Sequence, residues 1–351
     1  MIFKGIDKTK IKNFTIELLD MDKLLSNDNV IFQERTRGMA VNTTDGEIKH
    51  IDSLIISDGH IFNKLSVGVK LNKGTPLAYA HVDIHIAENS DNNLKPLKIS
   101  EYRNRLTRLK SYLEDRYGLY INLDQAKFEK LEINVTSKMD RDFIEYEFLL
   151  EQMVYLVPKR YEVSPYLDDD REAKQYDFFN DSTEAKIYDK TRQLEEKFKI
   201  SMEEQDMRIE YTLNKAEKIK NCLGSALISE VTDEAIESYL KAQIYKDLIK
   251  PIETHITKAN KELLQMANDL KKADSRKWAK LFVYKAIAQK MNKKNGRLAL
   301  VIDSEQIEQT IKKVSGKNSG RTIARIQSEF AEHPYLNDNL VKLQEIKDKF
   351  V

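Results

Sequence analysis

Apolar and polar residues alternate with a period of two in short stretches of the first part of the chain, and with a period of three to four in most of the remainder. Residues 14–19, 29–32, 54–56 and 65–71 alternate between turn residues, which predicts antiparallel strands forming a sheet margin rather than a site. Residues 80–86 put Val82, Ile84 and Ile86 on one face of a strand and His81, Asp83 and His85 on the other. Residues 100–117 place Tyr102, Leu106, Leu109 and Leu113 at helical spacing, with Ser100 as cap, Gly118 as stop, and Arg103, Arg105, Arg108 and Lys110 on the opposite face. Residues 128–135 turn Leu131, Ile133 and Val135 inward and Glu132 and Asn134 outward. A helix over 142–156, an acidic loop at Asp168, Asp169 and Asp170, a strand–turn–strand over 175–189, a charged connector over 190–199 and a strand over 208–213 follow.

Beyond Lys215 the period is helical. Ile252, Ile256, Ala259, Leu263, Met266 and Leu270 form one apolar seam, which predicts a helix packed within its own chain. Residues 276–291 form another helix with Trp278, Leu281 and Phe282 as its apolar side, followed by a short strand over 298–302 and a helix capped by Ser304. A glycine-containing turn over 315–320 leads to a last amphipathic helix from Arg321. The fold class expected is α+β, an antiparallel-sheet domain over residues 1–214 followed by an all-helical or winged-helix-like domain over 215–351.

Composition narrows this picture. A chain of 351 residues is long enough for two cores, and 41% hydrophobic with 33% charged residues marks it as globular. The single cysteine, Cys222, excludes an internal disulfide and a multi-cysteine zinc site, in line with a reducing, cytoplasmic setting. No run approaches the roughly 20 apolar residues that span a bilayer, and the first residues lack a signal peptide's apolar core, so neither export nor membrane insertion is expected. The net charge of +1 conceals a division: residues 215–351 carry 26 Lys+Arg against 18 Asp+Glu, a net +8, leaving −7 on the rest. A basic half is drawn to phosphates, and an acidic half can hold cations.

The candidate chemistry lies in two neighbouring strands, Ala185-Lys186-Ile187-Tyr188-Asp189-Lys190-Thr191-Arg192 and Met207-Arg208-Ile209-Glu210-Tyr211-Thr212-Leu213. Phosphodiester transfer to a tyrosine needs a phenolate equivalent, a cation to offset charge on the phosphate and carboxylates to hold that cation. A phenol with a pKa near 10 needs a metal or a basic neighbour, and Lys186, Lys190 and Arg192 are close in sequence. Strand alternation sets Tyr188 with Lys186 and Lys190 on the face away from Asp189, which makes Glu210 the first choice of metal ligand, with Arg208 beside it and Glu132 from an earlier strand. His81, Asp83 and His85 form a second possible metal set, and equally the solvated face of a half-buried strand.

These strands, preceded by Leu131-Glu132-Ile133-Asn134, resemble the replication initiators of rolling-circle plasmids and single-stranded phages, in order over residues 80–225. The resemblance implies a nicking and joining enzyme on a sheet related to the histidine-hydrophobic-histidine (HUH) endonucleases. In it Tyr188 attacks an origin and keeps the 5′ phosphate, with Lys190 assisting, and the freed 3′ hydroxyl primes synthesis. Glu132, Glu210 and Asp189 match the family's acidic positions, and with Asp83 and His85 they are the candidate ligands of Mg2+ or Mn2+. Lys186, Arg192 and Arg208 would face DNA. Asn134 departs from the pattern, standing where many relatives carry a second acid, and Asp83-Ile84-His85 is an imperfect two-histidine motif. The implied partners are origin DNA, single-stranded or hairpin, with a host helicase and a second copy of the chain as further candidates. Arg321, Thr322, Arg325 and Gln327 would read DNA if residues 304–314 and 321–332 form a helix-turn-helix. Two rival readings stand beside this one: a non-catalytic DNA-binding replication or copy-control protein, and a nuclease in which His81, Asp83 and His85 hold a metal and water attacks.

Overall fold

The computed structural model describes residues 2–42, 48–58, 64–71, 79–87, 96–167, 173–199, 201–291, 293–294, 297–298, 303–315, 324 and 338–351. The Asp168–Asp170 loop and Arg321, Thr322, Arg325 and Gln327 of the expected helix-turn-helix lie outside these residues. In chain order the elements are β1 (Ile2–Lys12), β2 (Thr15–Leu18), α1 (Met21–Leu25), β3 (Val30–Asn42), β4 (Ile48–Asp58), β5 (Lys64–Leu71), β6 (Tyr79–Ala87), α2 (Ile99–Tyr117), β7 (Leu119–Asn122) and β8 (Lys127–Lys138). Next come α3 (Glu147–Tyr155), β9 (Glu162–Leu167), β10 (Ala173–Asn180), β11 (Thr183–Asp189), α4 (Lys190–Phe198) and β12 (Asp206–Leu213). Then follow α5 (Ala216–Leu223), α6 (Asp233–Ile244), a π-helical turn (Tyr245–Ile249), α7 (Lys250–Ala273), α8 (Trp278–Met291), α9 (Ser304–Ser315) and a terminal helix (Asn339–Phe350).

The chain is α+β. Ten strands form one sheet in the order β3-β4-β5-β6-β1-β8-β12-β11-β10-β9, and every neighbouring pair is antiparallel. The N-terminal stretch is therefore not only margin: β3, β4 and β5 lie toward one edge, but β1 sits at the centre, between β6 and β8. One face of the central strands is apolar. Ile6 pairs with Ile133, Ile133 with Tyr211 and Tyr211 with Ala185, and all four are buried.

Helix α2 lies on this face because its buried stripe is Tyr102, Leu106, Leu109, Leu113 and Tyr117. The Tyr102 ring stands 5.5 Å from that of Phe128, and its hydroxyl pairs with Thr9 at 2.8 Å. Each such side chain contributes about 1.5–3 kcal/mol by leaving water, which outweighs anything the opposite charged face can supply. Ser100 is not the cap. Glu101 accepts from the Lys98 amide at 2.9 Å and Asp233 from the Ile99 amide at 2.8 Å, so α2 is capped at Lys98, two residues earlier, and is tied to α6. Gly118 does end it, in the left-handed conformation with φ 62°. Arg103 is committed to the fold as well, donating to the Ile228 and Val231 carbonyls at 2.8 and 2.6 Å.

Residues from both sides of Leu213 share the main core: Ile219, Leu223, Ile236, Leu240, Leu343 and Phe350 cluster with the sheet's apolar face and α2. The terminal helix is held by Glu345, which accepts from Tyr146 at 2.6 Å and Arg141 at 2.8 Å. The apolar seam of α7 divides: Ile252 belongs to this core, whereas Ala259, Leu263 and Ala267 build a second one with Trp278, Phe282, Ile307 and Ile311. Leu281, expected on the apolar side of α8, is exposed. Among the described residues no helix is long and apolar enough to cross a membrane.

Gly5 fixes how β1 enters the sheet. A Cβ there would fall 2.3 Å from the Leu97 carbonyl oxygen, and Leu97 is held in place by paired backbone hydrogen bonds with Ile6 at 2.8 and 2.9 Å. Gly5→Ala should therefore cost about 1–3 kcal/mol as an overpacking change against backbone, read as a lower urea midpoint. An unchanged midpoint would mean that the Leu97 bridge is not kept in solution.

Candidate active site

The opposite face of the central strands is polar and almost equally buried. Cross-strand register builds it in rows: Tyr188 opposite Arg208 and Arg208 opposite Thr136; Lys186 opposite Glu210, Glu210 opposite Asn134 and Asn134 opposite Gly5; Thr212 opposite Glu132. Side chains at successive rows point to the same side because the strand period is two. Asp7 joins them through an irregularity. Ile6 pairs with Ile133 but Lys8 with Glu132, so Asp7 is an extra residue in β1, a bulge that directs its carboxylate to the polar side.

Asp7, Glu132 and Glu210 thereby bring carboxylate oxygens within 4.8 Å of one another, and all three are buried. The Tyr188 hydroxyl donates to Glu210 Oε1 at 2.5 Å. Arg208, with 0% exposure, lies 3.3 Å from Asp7 Oδ2 and 3.5 Å from Glu210 Oε1, contacts Tyr188, and donates from Nε to Thr136 Oγ1 at 2.7 Å. Thr212 donates to Glu132 Oε2 at 3.3 Å, and Lys8 Nζ stands 3.4 Å from Glu132 Oε1.

The electrostatics follow from three buried carboxylates facing one buried guanidinium. Burial pushes the Asp7 carboxyl up to about 6, against the pull of Arg208 and with the push of Glu210. Burial and then Glu210 push Glu132 up to about 7. The Tyr188 phenol is held well above its usual value by burial and by the Glu210 charge, with Arg208 opposing. These carboxyl groups retain protons because they are buried and crowd one another, and a cation placed among them would favour their ionised forms. The cluster's donors are hard oxygens, the type that takes Mg2+ or Mn2+, and Glu132 Oε1 is buried with the Lys8 ammonium at 3.4 Å as an ion-pair partner but no hydrogen bond among the described residues. The residues present therefore fit a divalent cation.

The other residues singled out in the sequence lie as follows. Asp189 is outside the cluster: on the face away from Tyr188, it accepts from the Arg192 amide at 2.9 Å as the N-cap of α4. The expected connector after it is thus a helix, with Lys190, Thr191 and Leu194 buried. Lys190 donates to Gln193 at 2.7 Å, and its charge favours ionised Asp7. Arg192 pairs with Glu196 at 3.1 Å. Lys186 pairs with Glu184 at 3.0 Å and is partly exposed. Arg208, expected to face DNA, is buried among the carboxylates instead. The backbones of His81, Asp83 and His85 lie in β6, with His85 opposite Lys10, while their side chains are outside the described residues. Asp7, Lys8 and Thr136 are the members that sequence reasoning did not include. The signal for Asp7 was a change of parity, since Ile6 faces the core and so do Thr9 and Ile11, which requires one extra residue between.

No family model matches the chain, and no curated protein sequence matches it. Two solved structures overlay on much of its length. One is a rolling circle replication initiator protein from Geobacillus stearothermophilus, 10% identical with a TM-score of 0.36 over 70% of this chain and 86% of that one. The other is the di-domain ARO/CYC BexL of the BE-7585A biosynthetic pathway, 11% identical with a TM-score of 0.21 over 68% and 95%. Overlays this loose carry no functional argument, and the case for a function rests on the side chains.

The raised carboxyl groups give a pH signature. Asp7 and Glu132 ionise near 4 in an unfolded chain but near 6 and 7 in the folded one. The folded state thus binds the extra protons, and their contribution, full below about pH 4, is lost as pH rises through about 6 to 7. In EDTA, urea midpoints of the parent chain should fall between pH 5 and 8 more steeply than those of Glu132→Gln, and Mn2+ should restore the parent at the upper end. Parallel curves for the two chains would contradict the proton assignment.

Proposed function

We propose that this protein is a metal-dependent DNA nicking and joining enzyme that starts rolling-circle replication, with Tyr188 as its nucleophile. The observation that carries the reading is the hydrogen bond from the Tyr188 hydroxyl to Glu210 at 2.5 Å, inside a cluster of three buried carboxylates that could hold a metal ion. A tyrosine already donating to a carboxylate has its general base in place.

In the proposed step the Tyr188 oxygen attacks phosphorus and its proton passes to Glu210. The bond from phosphorus to the 3′ oxygen breaks, the 5′ phosphoryl group remains on the tyrosine, and the freed 3′ oxygen takes a proton from water. Joining is the reverse, with a 3′ hydroxyl displacing the tyrosine. A divalent cation held by Asp7, Glu132 and Glu210 would supply charge neutralisation at the phosphate. Arg208 touches Tyr188, Glu210 and Asp7 together, so it favours the phenolate as the proton leaves and offsets the repulsion between the two carboxylates.

Lys8 and Lys186, whose side chains are 43% and 29% exposed, form a basic rim toward the solvent and are the proposed contacts for the DNA backbone nearest the cluster. With Tyr188 and the carboxylates nearly closed to water, a phosphate reaches the phenol only by displacing side chains at that rim. The basic helical part of the chain is proposed to hold the origin.

The reading is tested with a labelled single-stranded or hairpin origin oligonucleotide in Mn2+. The parent chain should form a protein–DNA adduct stable to denaturant, and Tyr188→Phe should form none while keeping its urea midpoint within about 1 kcal/mol, a single buried hydroxyl being lost. Equal cleavage by Tyr188→Phe without an adduct would assign the reaction to a water nucleophile, and salt-sensitive binding with no cleavage by either chain would leave a DNA-binding protein.

A further inference from the structure

Asn134 is a buried polar side chain on the site face to which the proposed reaction gives no task. It has 0% exposure, and neither its amide oxygen nor its amide nitrogen has a hydrogen-bond partner among the described residues. It sits in β8 two residues from Glu132 and directly opposite Glu210 in β12, a cross-strand pairing that brings Cβ atoms to about 4.5–5.5 Å. On its other side the facing residue is Gly5, so no side chain covers it from β1. An amide buried with both ends unpaired is unfavourable, and an apolar residue would normally occupy such a position. The amide oxygen is therefore kept for a partner that the protein chain does not provide.

We propose that Asn134 is a neutral fourth oxygen ligand of the divalent cation, completing the set of Asp7, Glu132 and Glu210. The inference rests on reading that triad as a cation site. Three carboxylates already exceed the charge of a divalent ion, and Arg208 is the cation buried in direct contact with two of them. A fourth carboxylate would add repulsion, whereas an amide oxygen adds a ligand at no cost in charge. Binding through Oδ1 satisfies the buried acceptor and orients Nδ2 as a donor toward the water or phosphate oxygens that fill the remaining coordination positions.

The test needs no DNA. Mn2+ binding to the full chain is measured by calorimetry and by loss of the paramagnetic resonance signal of free Mn2+, for the parent, Asn134→Ala, Asn134→Leu and Asn134→Asp. Removal of the oxygen in Asn134→Ala and Asn134→Leu should weaken binding about tenfold or more, and Asn134→Asp should retain it. In EDTA the Asn134→Leu chain should be at least as stable as the parent, because the unpaired amide is gone. Parent-like Mn2+ affinity in Asn134→Ala and Asn134→Leu overturns the proposal while leaving the triad standing, provided that Glu132→Gln weakens binding. A parent chain that binds no Mn2+ overturns both. Should the Ala and Leu substitutions abolish cooperative unfolding, Asn134→Asp decides alone: retained binding supports the ligand role and lost binding overturns it.

Discussion

Three carboxylates and a single guanidinium share the interior of the sheet, and the rest of the arrangement follows from keeping them there. Removing charged groups from water is expensive, and the mutual attraction offsets it only where geometry is close and the remaining hydrogen-bonding positions are filled. Arg208 meets that condition through Thr136, Asp7 and Glu210 at once. The carboxylates meet it less well: burial first and their mutual repulsion second raise the pKa of Asp7 and Glu132, against the pull of the nearby cations. A site built this way is poised for a cation. It is also poised for proton transfer, because Tyr188 points its hydroxyl at the same Glu210.

What holds such a site rigid is the other face. Every residue of β12 is buried, polar and apolar alike, so the strand is enclosed on both sides. Its apolar side chains Ile209, Tyr211 and Leu213 are buried in the core shared with α2, α5, α6 and the terminal helix. The helices after Leu213 thus do more than present basic charge: they close the core on which the strands of the candidate site rest. The second core around Ala259, Leu263, Trp278 and Ile307 is reached by the continuous helix α7, which carries that charge away from the sheet.

Much of this was legible in the sequence, for a definite reason. Period-two alternation is a local property, so the parity of Tyr188 and Lys186, of Glu210 and Arg208, and of Glu132 was readable before any pairing was known, as was the separation of Asp189 from Tyr188. The hairpin from β10 to β11 followed from its turn. What alternation cannot give is which strands become neighbours. β1 was passed over because its run is interrupted, and the interruption at Asp7 is the bulge that supplies the third carboxylate. Helix α4 was read as a connector because its buried side includes Lys190 and Thr191 beside Leu194, which gives no hydrophobic periodicity; its start is set by the Asp189 side chain instead.

The two misreadings have one cause, and it bears on how the site works. Both occur where a polar side chain substitutes for an apolar one in specifying structure, a carboxylate capping α4 and a carboxylate in a bulge of β1. Asp189 gains a backbone amide by doing so, which is stabilising by itself. Asp7 gains Arg208 but stands beside Glu132 and Glu210, and its pKa rises first because the group is buried and then because the Glu210 charge opposes its own. Local rules are broken at a net cost only where some ligand returns the energy. Asp189 is therefore accounted for by the fold, whereas Asp7, which no hydrophobic pattern asks for, joins a buried group of carboxylates that could hold a cation.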